Sequence, residues 1–169
     1  SGTIGDHGIA VLGARGDLGV EVNLESDVAP LNGMIAEMMD VSSQIHVMRD
    51  PTRGGVATTL NEIAHQSGVT IELDQTSLPF EPAVKGACEI LGFDPLNIAN
   101  EGKNMAFVAE EDADAELKTM QKHAYGKNAT IIGRDTEMNE DGGRVKLKTL
   151  LGTHRIVEML RGEMLRRIC

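Results

Sequence analysis

Amphipathic stretches of helical period alternate along this chain with short apolar runs of strand type. That alternation constrains the fold more than any other feature. It implies an α+β or α/β domain in which a mixed sheet is covered by helices. Leu31, Met34, Ile35, Met38 and Met39 fall at i, i+3, i+4, i+7 and i+8, which predicts a helix with a Met-rich core face. Val56, Leu60, Ile63 and Ala64 mark a second helix, and Pro82 suits the first turn of a third, running to about Leu91 with Val84, Cys88 and Leu91 on one face. Asp112 to His123 reads as a polar helix, and His154 to about Leu160 as a final one ending before Gly162.

Strands are expected at Gly8–Ala14, Ile45–Met48, Val69–Leu73, Met105–Ala109, Ala129–Arg134 and Val145–Leu150. The turn Glu140-Asp141-Gly142-Gly143 suggests a hairpin joining the last two. No repeat, low-complexity segment or linker interrupts the 169 residues, so one domain over residues 1–151 is expected, with 152–169 as a helix and flexible tail.

Composition removes several function classes. The formal net charge is −10 and the pI about 4.9, which speaks against nucleic acid or an anionic membrane surface as partner. Aromatic residues are 2% of the chain, too few for base-stacking platforms. No apolar run approaches the roughly 20 residues of a bilayer span, and no basic segment precedes a hydrophobic stretch at the start. Cys88 and Cys169 make neither a disulfide framework nor a zinc knuckle, so a cytoplasmic protein is expected. His154 to Cys169 holds four Arg against two Glu, a basic end on an acidic body.

Two loops could carry chemistry. Asp50-Pro51-Thr52-Arg53-Gly54-Gly55 leads from a strand into a helix; paired glycines at a helix start let backbone N–H groups approach an anion, and Arg53 offers a bidentate partner. The same loop also reads as a tight capped turn. Asn100-Glu101-Gly102-Lys103-Asn104 is a polar cluster entering a strand, where Glu101 could act as a general base or simply sit in an ordinary loop. Glu62 and His65 have the i, i+3 spacing of a metal-ligand pair without the further ligands such a site needs, so no metal site is expected. Cys88 on an apolar helix face reads as a buried, inert thiol. Cys169 reads either as an incidental thiol on a frayed end or as a nucleophile at the tip of an arm, its thiol pKa lowered by nearby Arg.

Asp50–Ala64 (DPTRGGVATTLNEIA), Ala99–Lys103 (ANEGK) and Gly152–Cys169 (GTHRIVEMLRGEMLRRIC) resemble the hydrogenase maturation factors of the HypE family, and SGTIGDHG and ESDVAPLNG match the middle of such proteins. These factors belong to the ATP-using superfamily of aminoimidazole ribonucleotide synthetase and selenophosphate synthetase. The resemblance covers essentially the whole chain but only the C-terminal half of a family member. It implies an α+β fold like the C-terminal domain of aminoimidazole ribonucleotide synthetase. It also implies a carbamoyl dehydratase in which Cys169 receives a carbamoyl group from the carbamoyltransferase HypF. ATP with Mg2+, bound mostly by the other half, activates the oxygen, and Glu101 removes amide protons. The resulting nitrile passes to iron on the HypC–HypD complex. Asp50, Thr52, Arg53, Gly54, Gly55 and Asn100 would lie near the nucleotide, and the complete protein would be a homodimer. The isolated chain is expected to be inactive or nearly so. Where the family ending usually has Pro, this chain has Arg166, which frees φ, restores an N–H and predicts a floppier arm.

Overall fold

The computed structural model describes residues 1–16, 19, 23–138 and 142–160. Five helices are described: α1 (Asp6–Arg15), α2 (Asn32–Val41), α3 (Gly55–Ser67), α4 (Pro82–Leu91) and α5 (Ala113–Lys122). The strands are β1 (Ile45–Arg49), β2 (Val69–Asp74), β3 (Met105–Val108), β4 (Gly133–Met138), β5 (Arg144–Lys148) and β6 (His154–Val157). The expected mixed sheet is four-stranded, in the order β4-β2-β5-β6, with β2 and β5 parallel and the outer pairs antiparallel. β1 and β3 form a separate antiparallel pair.

Three apolar clusters follow from the helix patterns. Val56, Leu60 and Ile63 of α3 pack on Ile71, Leu73, Val145, Leu147 and Val157 of the four-stranded sheet. Ile9 and Leu12 of α1 meet Val84, Ala87 and Cys88 of α4, with Ile98 between them. Met34 and Met38 of α2 are fully buried against Met120 of α5, so the Met stripe is core, whereas Met39 faces outward.

Four expectations are corrected. Gly8–Ala14 belongs to helix α1, not to a strand. A short apolar run fits either state by periodicity, and here Gly8, Ile9 and Leu12 form one buried helical face. Gly8 is required on that face, since a Cβ there would lie 2.5 Å from Cγ2 of Ile98.

β4 begins at Gly133 rather than at Ala129, which is buried beside the Met cluster. β4 and β5 are not a hairpin, because β2 lies between them. β2 has the stronger claim as the central strand, with Ile71 and Leu73 both buried. Glu140 and Asp141 of the expected turn lie outside the described residues.

The segment from His154 is strand β6 rather than a helix. Thr149 and Thr153 close the preceding turn, through Thr149 N–H to the Thr153 carbonyl (2.8 Å) and between their hydroxyls (2.8 Å). Adjacent Ile156 and Val157 favour the strand, and Val157 reaches the core while its carbonyl accepts from the Asn61 amide at 2.9 Å. Arg155 pairs with Asp94 at 2.7 Å. The part of the expected helix and tail from residue 161 to 169 lies outside the described residues.

Glu116 on α5 is a carboxylate that sits badly in this packing. It is 2% exposed, and neither oxygen has a hydrogen-bond partner. Burial, then the neighbouring Asp112 carboxylate, holds its pKa above the ordinary value. A raised folded-state pKa means the carboxylate costs stability at neutral pH, and the cost is relieved as the pH falls through that pKa. Glu116→Met is expected to raise stability by about 1 kcal/mol at neutral pH, some of the gain being offset by the lost charge near the helix start. Urea unfolding at about pH 7 and about pH 5 checks this, with the gain shrinking at the lower pH.

Candidate functional site

The two loops singled out in the sequence are brought together by one buried side chain. Asn100 is 1% exposed. Its Nδ2 donates to the carbonyls of Pro51 (3.0 Å) and Ile98 (3.1 Å), and its Oδ1 accepts the Gly5 N–H at 2.7 Å. Its own backbone N–H also donates to the Pro51 carbonyl, at 3.2 Å. The 50–55 loop, the 95–100 segment and the start of α1 are therefore joined through one amide.

Gly55, with φ +62°, makes the approach possible. A Cβ there would stand 2.5 Å from the Leu96 carbonyl oxygen and 2.6 Å from that of Ile98. Gly55 thus serves this packing directly, whereas a Cβ on Gly54 would meet Thr58 of the same helix. Asp50 and Arg53 are exposed on the same loop, Thr52 and Gly54 are half-buried, and Arg53 makes no ion pair among the described residues.

Glu101 follows Asn100 and is half-buried. Its backbone N–H donates to Oδ1 of Asp27 at 3.0 Å, and the Gly102 N–H reaches the same oxygen at 3.4 Å. Lys103 Nζ lies 3.4 Å from Oδ2 of Asp27 and 3.8 Å from Oδ2 of Asp6, all three side chains largely buried. Thr3 donates its hydroxyl to Asp6. Burial raises the Asp6 pKa above the ordinary value; the Thr3 hydrogen bond and Lys103 oppose that, while Asp27 and Glu81 add to it. Beside this cluster opens a cleft of about 350 Å³, lined in part by Ser26, Asp27, Lys103, Tyr125 and Lys127.

Asp27, Asp6 and Thr3 were not predicted as site residues. Asp27 lies in an extended stretch without periodicity, and only its place in the ESDVAPLNG run marked it out. Glu62, read in the sequence with His65, instead pairs with Arg49 at 2.9 Å. Cys88 is buried among apolar side chains, and burial, helped by Asp94, pushes its thiol pKa up to about 11. Cys169 lies outside the described residues. Among the described residues no cluster of three or more His, Cys, Asp or Glu is placed to hold a metal ion, and no helix is long and apolar enough to cross a membrane.

A family model described as AIR synthase related protein, C-terminal domain, matches residues 1–146. Carbamoyl dehydratase HypE of Cupriavidus necator is 49% identical over 170 aligned residues, covering 100% of this chain and 48% of that protein. The crystal structure of hydrogenase maturation protein HypE in complex with ATP superposes with a TM-score of 0.90 at 41% identity, covering 99% of this chain and 51% of the other. A crystal structure of a HypE–HypF complex matches with a TM-score of 0.87 at 48% identity, covering 94% of this chain and 51% of the other. The chain spans about half the length of the curated relatives it matches.

Because the Asn100 amide is committed to three backbone groups, Asn100→Ala is expected to cost about 2–4 kcal/mol, since the Gly5 N–H and the Ile98 carbonyl lose this partner in a dry site while the Pro51 carbonyl keeps only the backbone N–H of residue 100. Asn100→Asp is expected to fail in the same way, because a carboxylate cannot donate to Pro51 and Ile98. Urea unfolding of both variants checks this, and wild-type stability in either would show that the amide is dispensable.

Proposed function

The chain belongs to the family of AIR synthase related proteins, whose C-terminal domain it matches, and from that premise we propose that it is the C-terminal half of a HypE-type, ATP-dependent carbamoyl dehydratase of hydrogenase maturation. The observation that carries the reading is 49% identity to a carbamoyl dehydratase across the whole chain. Glu101, on a loop tied down on both sides, suits the role of a fixed base.

In this reading Cys169, as thiolate, accepts a carbamoyl group and becomes a thiocarboxamide. The γ-phosphoryl group of ATP is transferred to the amide oxygen; an O–P bond forms, the bond to ADP breaks, and one N–H proton is released. Glu101 takes the second N–H proton as phosphate departs, leaving S–C≡N. The products are a thiocyanate, ADP and phosphate, so atoms and charge balance. Closure of the site around the tail would keep water from the activated intermediate.

Asp50, Thr52, Arg53, Gly54, Gly55 and Asn100 frame the nucleotide-proximal edge, Arg53 with its exposed guanidinium and Asn100 by holding the loop. Mg2+ would arrive with the nucleotide phosphates and be held mostly by the other half. HypF would supply the carbamoyl group, the HypC–HypD complex would receive the nitrile, and the complete protein would be a cytoplasmic homodimer.

Intact-mass spectrometry after incubation with the carbamoyltransferase, its carbamoyl donor and ATP tests the reading. A carbamoyl adduct is expected on Cys169 that loses one water only when the N-terminal half is supplied. Cys169→Ala should abolish the adduct. Cys88→Ser should leave it unchanged, because a buried thiol with a raised pKa is almost wholly protonated at neutral pH. No adduct under either condition would favour a domain that only docks maturation partners.

A further inference from the structure

We infer that Asp27 is a positioning residue for Glu101, fixing through one carboxylate the direction in which the Glu101 loop leaves Asn100. The inference rests on the role proposed above for Glu101. Its basis is that Asp27 holds three consecutive residues of that loop. Oδ1 accepts from the N–H of Glu101 at 3.0 Å and is 3.4 Å from the N–H of Gly102, while Oδ2 faces the Lys103 ammonium at 3.4 Å. An acceptor-only group with two oxygens suits this task, because Oδ1 takes the backbone N–H groups while Oδ2 faces the Lys103 charge without a hydrogen bond.

The backbone around Asp27 is itself seated against the loop. A Cβ on Gly102 would fall 1.7 Å from the Asp27 carbonyl oxygen and 2.7 Å from the Ala29 nitrogen, so Gly102 lets the two segments cross in contact. On the other side of Asp27, the Ser26 hydroxyl is 2.8 Å from Nδ1 of His7 and accepts the Val28 N–H at 3.3 Å. The Asp27 side chain is 2% exposed, so its oxygens are largely shielded from solvent. Asn100 fixes where the loop begins, and Asp27 fixes how it runs on. Together they leave the peptide at Glu101 little freedom, and a base must meet its proton at hydrogen-bond distance.

Two variants separate positioning from mere folding. Asp27→Asn keeps an oxygen acceptor for the two N–H groups and gives up the ion pair; Asp27→Ala gives up both. Hydrogen exchange on this chain alone should show faster exchange of the Glu101 and Gly102 amides in Asp27→Ala, with Asp27→Asn close to wild type. In the chain joined to its N-terminal half, Asp27→Ala should slow loss of water from the Cys169 adduct by on the order of 10- to 100-fold. Loading of the carbamoyl group should be unchanged, and Asp27→Asn should recover most of the rate.

The double variant Asp27→Ala/Glu101→Gln should be no slower than Glu101→Gln alone, since a misdirected base and an absent one fail at the same step. Multiplying effects, an Asp27→Ala rate equal to wild type, or unchanged amide exchange would each overturn the inference. If Glu101→Gln alone dehydrates normally, the fault lies with the reading of Glu101 as base, and the positioning role falls with it.

Discussion

The buried amide of Asn100 is the interaction on which the rest of the arrangement depends. It donates twice and accepts once, and its partners are backbone groups from three separate parts of the chain: Gly5, Pro51 and Ile98. No apolar side chain could join these groups, because the Gly5 N–H and the Ile98 carbonyl would lose this partner out of water. The three segments belong to two packing units. Gly5 leads into α1 and its cluster with α4, Pro51 leads into α3 and the sheet, and Ile98 is buried beneath α1. A single side chain thus sets the relation between two apolar cores, and the loop carrying Glu101 leaves from that point.

Contact between backbones completes what the amide begins. Gly8 of α1 and Gly55 of α3 both meet the 96–99 segment at distances that exclude a side chain. The segment therefore lies between two helices, its carbonyls turned to fixed neighbours. Hydrophobic burial supplies the gross stability on either side, but it is indifferent to small displacements. Hydrogen bonds to a committed amide are directional, and they give the loop a defined course.

The sequence made the amphipathic elements legible and the long-range polar ones much less so. α2, α3 and α4 were readable because Met34 and Met38, Val56 and Leu60, and Val84 and Cys88 repeat at helical spacing, and Pro82 marks its helix start. α1 was hidden because Gly8 answers to Ile98, ninety residues away, and so breaks the local pattern. β6 was hidden because the hairpin closed by Thr149 and Thr153, with Asn61 and Asp94 as partners, overrides the helical look of its residues. The interposition of β2 between β4 and β5 is a property of the whole sheet, and a turn signal at Gly142 and Gly143 carries no information about it. In the site, Asn100 and Glu101 stood in a dense polar run and were visible. Asp27 sits in a stretch with no period, and its importance comes entirely from a contact 74 residues distant.

The cluster around Lys103 argues that this region is arranged for something besides stability. Asp6, Asp27 and Lys103 are largely buried, one oxygen on each carboxylate lacks a hydrogen-bond partner, and the ion-pair distances of 3.4 and 3.8 Å are longer than tight pairs adopt. Burying charges this way costs desolvation that the Coulomb attraction offsets only in part, and apolar residues of similar volume often do as well or better for stability. Apolar replacements could not, however, accept the N–H groups of Glu101 and Gly102. The charge of Asp27 is tolerable because Lys103 sits beside it, and Lys103 belongs to the very loop that Asp27 holds. The loop thus brings the counter-ion for its own clamp, while the clamp itself acts through the N–H groups of Glu101 and Gly102. A polar arrangement of this kind sacrifices some stability for a fixed direction, and under the role proposed for Glu101, a base meeting its proton within a narrow range of distances, direction decides the rate.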